Sequence, residues 1–260
     1  MLQKKVEMKL FYSTAIILPI IIIFLGMLSM SSFGQEPSSK NMASEIFNDK
    51  TLVVPEKVKN FVILIPNEAH ESPLLPKDQR LINQPYVPQK IVVSPDTKII
   101  WFVGDVGHTR KVVLTDENSK KIYNAVLHFN SASRPLSLNQ TGNYNYSESG
   151  VNKEDPKFVM NGSIVVNGLN NQSNFGNNDN RSKSTFDTMS ILMVPTKDIK
   201  KQTSILDKNN VNILDRFSFK DLRESPGGGA NQTLLVLGSN NPMAKTISVL
   251  KKITSSLPYS

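Results

Sequence analysis

The groups in this chain that could do chemistry are few. Three histidines, His70, His108 and His128, supply imidazoles able to bind a metal or pass a proton near neutral pH. Carboxylates stand at Asp105, Glu148, Glu154 and Asp155. Cysteine is absent, which removes disulfides, iron–sulfur clusters, thiolate zinc sites and cysteine nucleophiles at once. Serine is plentiful, yet there is no Gly-x-Ser-x-Gly elbow to present one as a nucleophile. The stretch Pro226-Gly-Gly-Gly-Ala-Asn-Gln-Thr233 lacks the Lys-Ser/Thr ending and strand-to-helix setting of a phosphate loop, and reads as a flexible turn. Asp221-Leu-Arg223 reads as solvated charge. No catalytic constellation emerges, so the chain is not expected to be an enzyme.

The elements that must position these groups are mostly strands. Short apolar runs occur at Phe61–Ile65, Lys90–Ser94, Lys98–Val103, Lys111–Thr115, Ala125–Phe129, Gly142–Tyr146 and Ser163–Val166. Pro, Gly, Asn and Asp clusters separate them, the pattern of an antiparallel sandwich or barrel. Trp101, in line with Ile99 and Val103, reads as sandwich core. Beyond an Asn/Ser-rich stretch the pattern changes. Met189–Val194 predicts a strand ended by Pro195, and Thr196 a cap for a helix to about Lys208 with Ile199, Thr203 and Leu206 on one face. Val211–Phe217 and Gln232–Leu237 predict two more strands. Asn241-Pro242 opens a last helix with the stripe Met243, Ile247, Leu250, Ile253 and Leu257.

The N-terminus carries Lys4, Lys5 and Lys9 before an uncharged stretch from Leu10 to Gln35, long enough to cross a bilayer as a helix. Ser32 and Gly34 have the spacing a signal peptidase reads, so a cleaved leader and a retained anchor are both open. Either way the flanking lysines place the remainder outside the cytoplasm, membrane-anchored or secreted. Six Asn-x-Ser/Thr sequons, from Asn139 to Asn231, agree with that placement. The expected organisation is a signal peptide or anchor over 1–34, a polar tether over 35–55 and a β-sandwich over 56–168. An Asn/Ser-rich linker over 169–187 and a small α/β domain over 188–260 follow. Net charge is +8, of which the leader supplies +2, and no basic cluster is interleaved with aromatics, so nucleic acid is not an expected partner.

The segment Tyr86–Val166 resembles a plastocyanin-type cupredoxin. Tyr86 to His108 shows that family's strand, turn, aromatic-bearing strand, and then an Asp and a His. Gly142-Asn-Tyr-Asn-Tyr146 resembles its final hairpin, and Met160-Asn-Gly-Ser-Ile-Val-Val166 its closing Met-x-Gly and last strand. The resemblance implies a mainly β, cupredoxin-like Greek-key sandwich. It also implies copper held by two imidazoles, a thiolate and an axial thioether. Residue by residue, His108 takes the first imidazole position and Met160 the axial sulfur. The thiolate position falls on Glu148 and the second imidazole near Val151, and the loop between Glu148 and Met160 is longer than the family's short loops. A blue electron-transfer centre is therefore excluded, for want of a cysteine anywhere in the chain.

Two readings remain. One is a non-catalytic binding or structural module without a cofactor, attached to the membrane through its N-terminal helix and serving an envelope protein partner, in an oligomeric state the sequence leaves open. The other is a non-blue copper carrier or buffer, with His108, Met160, Glu148 and His70 as its ligands.

Overall fold

The structure is a computed structural model and describes residues 41–67, 69, 84–148, 160–167, 186–220 and 231–257. Twelve strands among these residues form two six-stranded sheets. In the first, β1 (Leu52–Val53), β3 (Lys90–Val93), β9 (Asn161–Val166), β8 (Gly142–Glu148), β5 (Arg110–Thr115) and β6 (Lys121–Leu127) lie in that order. In the second the order is β11 (Val211–Lys220), β12 (Asn231–Ser239), β10 (Thr188–Pro195), β2 (Asn60–Ile65), β4 (Lys98–Val103) and β7 (Leu136–Ser137). Among the described residues there are also three α-helices: α1 (Met42–Phe47), α2 (Ile199–Lys208) and α3 (Met243–Ser255).

Chain order crosses repeatedly from one sheet to the other. β2 and β4 lie in the second sheet with β3 in the first; β5 and β6 return to the first, β7 to the second, β8 and β9 to the first. The mainly β sandwich expected from the sequence is the architecture found, but its sheets are mixed and not antiparallel throughout: β1–β3, β3–β9, β2–β4 and β2–β10 pair in parallel. Sequence and position agree strand by strand. β2 and β4 sit inside their sheet in parallel register, Phe61 opposite Ile99 and Ile63 opposite Trp101, and are apolar on both faces because both are buried. β5, β8 and β9 instead alternate in burial, one face inward and one outward, as strands covered on a single face do.

Residues 188–260 have the expected order of strand, helix, strand, strand and helix. Their strands do not stand apart: β10 pairs in parallel with β2, Met189 opposite Phe61, and continues the sandwich's own sheet. Residues 39–260 form one compact unit holding the whole described core, from Ala43 to Ile253. The helix over Thr196–Lys208 begins as a 3-10 turn, and Thr196 does not cap it; its Oγ1 meets the Thr233 hydroxyl at 2.9 Å. Asn241 likewise does not cap α3; its Nδ2 donates to the Asn209 carbonyl at 2.7 Å.

Of the stretch 35–55, expected as a polar tether, the described residues from Asn41 onward pack on the body. Ala43, Ile46, Leu52 and Val54 are buried, the Ala43 N–H donates to Asp215 Oδ2 at 2.8 Å, and Phe47 packs on Phe217 and Phe219. These apolar anchors seat α1 on β11 and β12 at one edge of the second sheet. The N-terminal stretch to residue 40 and the linker over 168–185 lie outside the described residues. Among the described residues no helix is long and apolar enough to cross a membrane.

Candidate functional site

The sandwich end that carries the candidate ligands is built by the β4–β5 connection, the end of β8 and the start of β9. Asp105 lies just past β4 and is fully buried. Gly107 holds φ at +80°, in the left-handed region glycine enters without strain, and turns the connection back toward β5. Asn67 Oδ1 anchors the turn by accepting the Val106 N–H at 3.0 Å. β5 then begins with Arg110, whose inward parity is that of Val112 and Leu114. The alternation that buries two aliphatic side chains thus also buries a guanidinium, to 6% exposure.

That guanidinium organises the site. Its Nε donates to Asp105 Oδ2 at 2.6 Å, and its Nη2 reaches the same carboxylate oxygen. Its Nη1 donates to Glu148 Oε2 at 3.2 Å and lies 3.9 Å from Met160 Sδ. Asp105 Oδ1 in turn meets His108 Nδ1 at 3.3 Å. Glu148 is held from the backbone as well: its Oε1 accepts the Lys111 N–H at 3.2 Å, and its own N–H donates to the Met160 carbonyl at 3.0 Å. One cation therefore faces two carboxylates and a thioether where water is largely excluded, so the charge-assisted bonds are strong.

An aromatic layer lies beneath. Tyr86 and Tyr146 meet edge-on at 4.8 Å, and Trp101 packs against Tyr146 at 5.4 Å and stacks on Tyr123 at 5.6 Å. Burial pushes the Tyr86 phenol far above its ordinary range; the Glu148 carboxylate adds to that and Arg110 opposes it. Tyr146 is raised too, by burial first and by Tyr86 second, and its hydroxyl donates to the Gln89 carbonyl at 3.0 Å. Gly162, of the Met-x-Gly sequence, passes directly over this ring. A Cβ there would collide with the Tyr146 ring and come within 2.6 Å of the Gln89 oxygen.

Of the four candidate ligands, His108, Glu148 and Met160 come to this end and surround or adjoin Arg110; His70 lies outside the described residues, as do Val151, Glu154 and Asp155. The His108 side chain is 41% exposed and turned onto Asp105, whereas Met160 is buried against the guanidinium. His128 is separate, its Nδ1 sharing a hydrogen bond with the Thr109 hydroxyl at 3.1 Å. Among the described residues no three His, Asp or Glu side chains gather as a metal-holding group. The donor set does not fit the copper that the resemblance implies. The thiolate position holds a carboxylate bound to arginine, and the axial sulfur touches that same arginine. Sequence reasoning missed Arg110; the signal lay in its parity with Val112 and Leu114.

No family model and no curated protein matches the sequence. Among solved structures, dithionite-reduced auracyanin from the photosynthetic bacterium Roseiflexus castenholzii is similar at 9% identity and a TM-score of 0.31, covering 42% of this chain and 98% of its own. Reduced rusticyanin is similar at 12% identity and a TM-score of 0.30, covering 45% of this chain and 84% of its own. At these scores neither likeness bears on the chemistry of this site.

Proposed function

We propose that this chain is an extracytoplasmic binding or structural module, a cupredoxin-like sandwich whose loop end is held closed by an arginine instead of a metal. One observation carries the reading: Arg110 Nη1 engages both Glu148 and Met160, the residues aligned with the thiolate and axial positions. A metal ion using Glu148 and Met160 would first have to displace the guanidinium from both, breaking a buried charge-assisted pair. With these two side chains already engaged, function falls to the outer surfaces of a rigid scaffold, as in other β-sandwiches. The partner is an envelope protein, reached by a chain anchored through its N-terminal segment. In-cell crosslinking of the full chain followed by capture should return the same envelope protein reproducibly. Repeated absence of any partner would count against the module.

A second reading, a non-blue copper carrier, draws on the half-exposed His108, whose Nδ1 rests on a buried carboxylate as a metal-bound imidazole's second nitrogen often does. It requires Met160 as ligand. Met160→Leu, nearly neutral for packing, should then weaken Cu(I) binding; unchanged binding removes this reading.

A further inference from the structure

The chain's excess positive charge is concentrated on one layer of the fold. Helices α2 and α3 pack on β10 and on each other, and Gln202 Nε2 donates to Ser256 Oγ at 3.3 Å. Their inner faces bury Leu206, Ile247, Leu250 and Ile253. Their outer faces, with the 3-10 turn that leads into α2, expose Lys197 on that turn, Lys200, Lys201 and Lys208 on α2, and Lys245, Lys251 and Lys252 on α3. Between these lysines stand mostly small side chains: Ser204, Ala244, Ser248 and Ser255. Only Asp198 and Asp207 oppose seven lysines, so this layer carries a net +5 of the chain's +8.

Helix stability explains only part of the arrangement: Lys208 and Lys252 lie in last turns, where the macrodipole favours a cation. Neither helix has an acidic residue in its first turn. Lys200, Lys201 and Lys245 instead sit at helix starts, where the macrodipole repels cations. Lys197 and Lys201 form a like-charge pair at i, i+4, the reverse of the Glu–Lys pairs that favour a solvated helix. Among the described residues none of the seven has an ion-pair partner. A local rule broken this often within one surface marks a surface kept for something outside the chain.

We infer that the outer face of α2 and α3 docks on the anionic headgroups of a phospholipid surface. Charge complementarity asks for a flat polyanion, and no aromatic side chain interleaves the lysines as base stacking would require. The uncharged stretch Leu10–Gln35 reads as a membrane segment, and the choice of a lipid polyanion rests on that reading. Each lysine brought to an anionic surface strengthens binding roughly fivefold, so three or four together give about a hundredfold or more.

The test uses residues 39–260, which contain the described core and lack the N-terminal stretch, so the outcome does not depend on whether that stretch inserts. The fragment is co-sedimented with vesicles of phosphatidylcholine alone or with about 30% phosphatidylglycerol, in about 0.1 M and about 0.5 M salt. The bound fraction should rise at least about tenfold with the anionic lipid and fall away at high salt. Lys245→Glu, Lys251→Glu and Lys252→Glu together should abolish it. The same charge change at the exposed Lys90, Lys120 and Lys121 should leave most of it. Equal binding to both vesicles overturns the inference, as does equal loss in the two triple variants. An acidic protein as the true occupant would appear as capture dependent on the α3 lysines without any lipid preference, and that result overturns it too. All six lysines are exposed, and circular dichroism checks that each variant folds.

Discussion

Arg110→Met is the perturbation that bears hardest on the loop end. The substitution keeps an unbranched chain of similar reach and removes the charge. Asp105, with no exposure to solvent, would lose the two bonds from Arg110 Nε and Nη2, and Glu148 would lose one. Removing one partner of a buried pair leaves an uncompensated charge, at a cost of about 3–5 kcal/mol. Urea unfolding of residues 39–260 reads this out. With a slope of about 2–3 kcal/mol per molar, the midpoint should fall by about 1.5 M. Two comparisons isolate the cause. Lys59 and Asp187 meet at 3.0 Å but are 70% and 46% exposed, so Lys59→Met should cost less than about 1 kcal/mol. Asp105→Asn combined with Arg110→Met should cost less than the two single changes summed, with a coupling of about 2–3 kcal/mol. A loss below about 1 kcal/mol for Arg110→Met would refute the reasoning, since it would mean the pair behaves like a surface pair.

Three further outcomes are expected. Gly162→Ala places a Cβ against the Tyr146 ring and the Gln89 carbonyl, and should lower stability by about 1–3 kcal/mol, read as a drop in Tm. The phenols of Tyr86 and Tyr146 are raised in the folded state, so the folded protein keeps protons that the unfolded chain gives up. Stability is then full below the unfolded tyrosine value near 10 and falls above it by about 1.4 kcal/mol per pH unit for each phenol. Tyr86→Phe should flatten the alkaline limb of a stability–pH curve, and a limb unchanged by it would contradict the assignment. Asp215→Ala removes the acceptor of the Ala43 N–H and should cost about 1 kcal/mol, with faster proteolysis around residues 41–50.

The sandwich was legible because its central strands are apolar on both faces. Phe61–Ile65 and Lys98–Val103 have no other satisfactory home. β7, with two residues, and α1, with its few anchors among polar neighbours, fall below what periodicity resolves. Residues 188–260 show a self-consistent α/β order, and their merger with the sandwich depends on Met189 lying opposite Phe61, a pairing across 128 residues that no local pattern encodes. At the candidate site His108, Glu148 and Met160 were found by alignment with known ligand positions. Arg110 was not, because a charged residue opening a strand usually faces water. Only its phase with Val112 and Leu114 shows otherwise. The basic layer was equally hidden. Two groups of lysines, 37 to 55 positions apart in sequence, become one surface only after α2 and α3 pack together.

Whether a cation already built into the chain excludes a metal from the loop end is tested most directly by paramagnetic resonance during a Cu(II) titration of residues 39–260. The predicted spectrum shows only weak, heterogeneous copper that is indifferent to His108→Ala. A single axial species at one copper per chain, lost on His108→Ala, would contradict it.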